Sequence, residues 1–132
     1  MSIGLFILGH GQLASGFLSA LKELQAHADD VLYLDFDPET EESLFEKKMD
    51  ELLENQKGEM LFLVDLPGTI PYRLACKKAG TNRKVLSGLN LGMLMEANAM
   101  RQFTEDLDQL AQDLVVAGQN QIVNYESQTS HK

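Results

Sequence analysis

A single cysteine, Cys76, stands in a chain of 132 residues. It excludes an internal disulfide and any metal site built from clustered thiolates. Tryptophan is absent, and proline occurs only at Pro38, Pro67 and Pro71, the last two in one short loop. Basic residues are few: eleven Lys and Arg against twenty Asp and Glu leave a net charge of −9. Phosphate backbones are bound through a basic footprint, so nucleic acid is excluded as the main partner. A basic protein or a small ligand stays open. No apolar run approaches the ~18–20 residues of a membrane span. The apolar start, Met1 to Leu8, lacks the basic segment of a signal peptide, and a cytoplasmic protein is expected. What the chain does have is 44% hydrophobic residues, ordinary for one globular domain and too many for wholesale disorder. At this size about two-thirds of the unfolded chain's surface is buried on folding, so no disulfide or metal is needed.

The apolar run Ile3 to Leu8 has the unbroken character of a strand buried on both faces of a parallel sheet. Leu13, Phe17, Leu21 and Leu24 then recur at helical spacing, which predicts a helix over 12–27. Residues 31–36 read as a second strand, and Asp37-Pro38-Glu39 as the opening of a second helix whose buried stripe is Leu44, Phe45, Met49, Leu52 and Leu53. A third strand over 60–64 ends in Asp65. The loop 66–71 leads into a helix over 71–80, with Pro71 at its start and Gly80 as its C-cap. A short strand at 84–87 precedes helical stretches over 91–101 and 103–117, the latter ended by Gly118. Residues 121–125 read as a short edge strand and 126–132 as a polar tail. Alternating strands and helices imply an α/β fold: a doubly wound, mainly parallel sheet of four strands with helices on both faces, in one domain over 1–125.

In such sheets ligands sit beyond the carboxyl ends of the strands, at the topological switch point. His10 occupies that place, between Gly9 and Gly11 and ahead of a helix N-terminus whose unpaired N–H groups suit a phosphate. A neutral imidazole is a competent nucleophile near neutral pH. If strands one and three are neighbours, Asp65 emerges beside it. A carboxylate on one ring nitrogen fixes the tautomer and frees the other to attack. His27 and His131 read as solvated, and Cys76 as a packing residue of the third helix.

Two other patterns compete. Gly9-His10-Gly11-Gln12-Leu13-Ala14 satisfies the G-x-G-x-x-A dinucleotide fingerprint, with Asp35 and Asp37 downstream. A full dinucleotide site spans two mononucleotide-binding halves, and this chain has barely more than one. Val64-Asp65-Leu66-Pro67-Gly68 resembles the phospho-acceptor strand of receiver domains. Those domains carry a metal-binding acidic pair after strand one, where this chain has Gly9-His10. A nucleotide-binding or receiver-like regulatory module is therefore the alternative reading.

Three ordered segments carry a closer resemblance. They are Ile3-Gly4-Leu5-Phe6-Ile7-Leu8-Gly9-His10-Gly11, Leu61-Phe62-Leu63-Val64-Asp65 with its Gly- and Pro-containing loop, and Ser87-Gly88-Leu89-Asn90-Leu91-Gly92-Met93-Leu94-Met95-Glu96. In these the chain resembles the enzyme IIA component of the mannose family of the bacterial sugar phosphotransferase system. The last segment, matching Gly-x-Asn-x-x-Met-Leu-x-Glu, is the most specific.

The resemblance implies a phosphohistidine carrier: phospho-HPr phosphorylates His10, Asp65 holds the imidazole, and the phosphoryl group passes to a histidine of a IIB component. IIB then serves the membrane components IIC and IID. It also implies a homodimer in which the terminal strand is exchanged between subunits. Relatives often have Gly-Gly-Ser-Pro after the aspartate; here Gly68-Thr69-Ile70-Pro71 puts Ile70 where the serine stands. Either Thr69 supplies the hydroxyl or backbone N–H groups suffice. The expected phosphate seats are Gly11, Gln12 and Leu13, with Gly68, Thr69 and Ile70 and on towards Tyr72. Leu66 and Pro67 form an apolar docking rim, and no metal or cofactor is required. The phosphocarrier subunit of dihydroxyacetone kinase is a further alternative, with a longer glycine-rich loop than this chain has.

Overall fold

The computed structural model describes residues 2–126. His131 and the tail from 127 onward lie outside the described residues. The elements run β1 (Gly4–His10), α1 (Leu13–Leu24), β2 (Leu32–Phe36), α2 (Glu42–Leu53), β3 (Met60–Val64), α3 (Ile70–Lys78), β4 (Arg83–Ser87), α4 (Leu91–Met100) and α5 (Leu107–Gln119). The four strands form one parallel sheet in the order β2-β1-β3-β4. Strands β1 and β3 are buried on both faces, which is why their sequences are continuously apolar. Leu5, Ile7, Leu61 and Leu63 face a core closed by α1, α4 and α5. Phe6, Leu8, Phe62 and Val64 face a second core closed by α2 and α3. The sheet is thus doubly wound, as expected.

Several local expectations change. Helix α2 begins at Glu42. Asp37 instead closes a turn: its carboxylate accepts the Glu39 N–H at 3.0 Å and its carbonyl accepts the Thr40 N–H at 2.9 Å. An aspartate that satisfies nearby backbone this way competes with helix. Gly80 is no left-handed cap, because α3 stops at an extended Ala79 and Gly80 bridges to Arg83 instead. Gly118 lies inside α5, where an added Cβ would come within 3.2 Å of the Met93 sulfur. Its role is close helix packing. Cys76 is exposed, not packed; the buried stripe of α3 is Pro71, Leu74 and Ala75, and position 76 falls one step outside it.

Residues 121–125 form no strand within the described chain. The chain turns after α5, with Gln121 donating to the Gly118 carbonyl and Ile122 to that of Gln119. Ile122, Val123 and Tyr125 stand 77–84% exposed, with no ladder partner among the described residues.

At the end of the sheet away from the strand C-termini, Arg101 is 1% exposed. It donates to Asn98 Oδ1, to the carbonyls of Ile3 and His27, and to both carboxylate oxygens of Asp30 at 3.0 and 2.6 Å. The side-chain hydrogen bonds from Arg101 hold the Asp30 carboxyl below its ordinary pKa. A depressed carboxyl stabilises the fold above its unfolded pKa, and that contribution fades as pH falls through the folded value. Arg101→Ala strands the buried Ile3 carbonyl and empties a filled site. It should cost about 3 kcal/mol or more in a urea melt, and a loss under about 1 kcal/mol would show the network to be dispensable.

Candidate functional site

The sheet order places β1 between β2 and β3, and the connections leaving β1 to α1 and leaving β3 to α3 go to opposite faces, so they diverge at the carboxyl ends of the two strands. His10 ends β1 and Asp65 directly follows β3. The His10 Nδ1 lies 2.8 Å from Asp65 Oδ2, and the same oxygen accepts the His10 backbone N–H at 3.0 Å. Asp65 Oδ1 accepts the Leu66 N–H at 2.8 Å. With a carboxylate as acceptor, Nδ1 carries the hydrogen and Nε2 keeps its lone pair. The acid side chain is 8% exposed and the imidazole 38%, so the acid backs the ring and the ring reaches solvent.

Burial raises the Asp65 pKa. The hydrogen bonds from the His10 backbone and ring, its charge and the Leu66 N–H outweigh that, and the carboxyl ends below its ordinary value. Asp65 is therefore an acceptor at neutral pH.

The two glycines act differently. A Cβ on Gly9 would stand 3.3 Å from Leu13 Cβ, a tight approach, so Gly9 lets α1 close on the strand end. Gly11 has φ of 58°, the left-handed turn that swings the chain into α1.

The remaining expected residues fall on two sides of His10. The Gly11 N–H is already donated to the Phe36 carbonyl at 2.9 Å, so it is committed to the backbone. Gln12 and Leu13 open α1, where first-turn N–H groups have no helical acceptor. On the other side Gly68, with φ of 77°, turns the loop into α3. Thr69 caps that helix by position, and its hydroxyl donates to the Leu66 carbonyl at 2.9 Å. The hydroxyl proton is thus held within the loop. Ile70 begins α3, with Pro71 in its first turn. Leu66 is 56% exposed and Pro67 is exposed, so both stand at the rim.

Residues outside the expected phosphate seats also shape the site. Asp35 accepts from the Ser15 N–H at 2.9 Å and its hydroxyl at 2.6 Å, fixing β2 to the first turns of α1. The acid needed by the dinucleotide reading is thereby engaged structurally. The loop after β4 buttresses Asp65: Gly88 donates to the Asp65 carbonyl and Leu89 to that of Val64. Asn90 caps α4 through Met93 and donates to the Gly118 carbonyl. The Gly-x-Asn segment thus ties the acid's backbone to α4 and α5. Phe36 packs against the His10 ring, its centroid 5.5 Å away. Its apolar identity at a strand end gave no sign of that contact.

Among the described residues, no group of three or more His, Cys, Asp or Glu is placed to hold a metal ion. No described helix is long and apolar enough to cross a membrane.

A family model described as the PTS system fructose IIA component matches residues 4–115. Among solved structures, the phosphotransferase system component EIIA from Streptococcus agalactiae is 31% identical, with a TM-score of 0.84 over 92% of this chain and 96% of that one. The mannose/sorbose-specific IIA subunit from Enterococcus faecalis is 27% identical, with a TM-score of 0.87 over 96% and 97%. The PTS IIA protein associated with the fucose utilization operon of Streptococcus pneumoniae is 25% identical, with a TM-score of 0.77 over 94% and 93%. No curated protein matches the sequence.

Proposed function

Because the chain belongs to the fructose and mannose IIA-component family of the sugar phosphotransferase system, we propose that it is that system's phosphohistidine carrier, with His10 as nucleophile and Asp65 as its orienting acid. The observation that carries this reading is the 2.8 Å contact between His10 Nδ1 and a nearly buried carboxylate, behind a ring that reaches solvent. Nε2 attacks the phosphorus of phospho-HPr. The phosphorus–nitrogen bond of the donor breaks, and the donor imidazole recovers its electron pair. The His10 ring then carries the phosphoryl group on Nε2 and keeps its hydrogen on Nδ1, and Asp65 balances the positive charge that develops. Transfer onward to a histidine of the IIB component reverses these steps.

Phosphoryl transfer runs through a loose transition state, so catalysis is mostly positioning and charge stabilisation. The first-turn N–H groups of α1 at Gln12 and Leu13, and those of Gly68, Thr69 and Ile70 at the start of α3, serve the equatorial oxygens. Gly11 contributes its turn; its N–H is spent on Phe36. Leu66 and Pro67, with Ile70, dock HPr and IIB and keep water from the phosphoryl group. Residues 1–125 act as one domain in the cytoplasm, as a homodimer in which the exposed segment 121–125 is exchanged. IIC and IID are reached through IIB. No cofactor enters the cycle.

Incubation with phosphoenolpyruvate, enzyme I and HPr tests the reading. Label stable in alkali and lost in acid is expected for a phosphohistidine. Label destroyed by hydroxylamine would indicate an acyl phosphate on Asp65. No uptake, with a shift in NADH fluorescence on mixing, would favour a dinucleotide module.

A further inference from the structure

The chemistry proposed for His10 needs the Nε2 lone pair in one direction, and Asp65 alone does not fix it. A hydrogen bond at Nδ1 selects the tautomer but leaves the ring able to rock about that bond. A second contact removes this freedom. The His10 and Phe36 rings meet nearly at right angles, with centroids 5.5 Å apart and an interplanar angle of 82°. Phe36 meets Phe45 of α2 in the same way, at 5.0 Å and 89°. Perpendicular arrangements at such distances are the ones aromatic pairs prefer.

The backbone around this contact is pinned. Phe36 is the last residue of β2 and is the register partner of His10. Its carbonyl accepts the Gly11 N–H, so both ends of the contact are tied to the same strand pair. Phe36 is 4% exposed and Phe45 is 2% exposed. Well-packed rings have little room to shift. The imidazole therefore lies between a carboxylate delivered from β3 and an aromatic ring delivered from β2, the two strands that flank β1. Leucine at position 36 would keep the core apolar. It would not give the imidazole a planar face or edge to lean on.

On the phosphocarrier reading, we propose that Phe36 is a positioning residue that holds the His10 imidazole in the rotation aiming Nε2 outward, with Phe45 as its support. Asp65 selects the tautomer and Phe36 selects the rotation. Phe36 acts through His10, on the placement of the attacking atom.

Phe36→Leu, Phe45→Leu and Leu74→Ala separate this role from core packing. Leu74 is 1% exposed in the same apolar cluster, so its truncation opens a cavity there. Two readouts are needed: ¹³C relaxation of the His10 ring C–H groups in unphosphorylated protein, and the rate of phosphoryl uptake as phospho-HPr is varied. Phe36→Leu should loosen the ring and lower kcat about tenfold with KM for phospho-HPr unchanged, since a misplacement of about 1 Å costs roughly 10². Phe45→Leu should act in the same direction and less. Leu74→Ala should lower stability while leaving ring order and kcat as in the parent.

Parent-like ring order and kcat in Phe36→Leu would overturn the proposal, as would an equal loss in Leu74→Ala. If Phe36→Leu fails to fold, Phe45→Leu decides, and unchanged ring order there overturns it. A parent protein that takes up no phosphate would overturn the phosphocarrier reading instead. The relaxation comparison would then still show whether Phe36 restrains His10.

Discussion

His10→Ala should take up no phosphate from phospho-HPr, a complete loss, while keeping the fold. The substitution removes the only imidazole at the strand ends among the described residues and leaves Asp65 with the backbone N–H groups of positions 10 and 66 as donors. The ring is 38% exposed, so its truncation costs little packing. Melting of the variant should stay close to the parent's. Labelled phosphoenolpyruvate with enzyme I and HPr provides the check, and label that persists in the variant would remove His10 from the reaction.

Asp65→Ala should slow uptake by roughly 10²–10⁴, the scale for a positioned catalytic group. Asp65→Asn should also slow uptake, because a neutral amide cannot balance the charge that develops on the phosphorylated ring and cannot accept from all three donors. The carboxylate accepts the His10 backbone N–H, the His10 Nδ1 hydrogen and the Leu66 N–H. An amide has one acceptor oxygen, so one of its ends must face a donor with a donor. With its nitrogen towards His10, it forces the hydrogen onto Nε2 and blocks the attacking atom. With its nitrogen towards Leu66, it keeps the tautomer and loses the loop contact. Single-turnover uptake measures the loss, and a parent-like rate in both variants would reduce Asp65 to a loop cap.

The depressed pKa of Asp65 adds a pH dependence. The acid's contribution to stability is present above its unfolded pKa and is lost as pH falls through the folded value. Acid titration of the melting temperature should therefore be flatter in Asp65→Asn than in the parent. Equal slopes would contradict the assigned hydrogen bonds.

How much of this was legible in the sequence differs from place to place, for physical reasons. The run Ile3 to Leu8 marked a strand buried on both faces, because a central parallel strand has no polar face to show, and the structure adds Met60 to Val64 as a second. The pairing of β1 with β3, a condition in the sequence reading, comes from the sheet order and puts Asp65 beside His10. Asp37 misled because aspartate before proline and glutamate suits a helix start and a turn equally, and its own hydrogen bonds chose the turn. Cys76 misled because α3 is short and its buried stripe is narrow.

Other features depend on chain segments far apart and left no local pattern. Asp35 meets Ser15, Phe36 meets His10, and Arg101 draws together Ile3, His27, Asp30 and Asn98. Ser87 to Asn90 was legible as a motif, but its work of bracing the Asp65 backbone was visible only in the folded chain. Segment 121–125 looked like a strand by composition, and the described residues offer it no ladder partner.

The most direct measurement is the site of the phosphorus–nitrogen bond in the phosphorylated protein, read by ³¹P–¹⁵N coupling with imidazole-labelled histidine. Coupling to Nε2 of His10, with hydrogen retained on Nδ1 against Asp65, is the expected result. Coupling to Nδ1, or phosphorus attached to a carboxylate with the His10 ring unmodified, would contradict it.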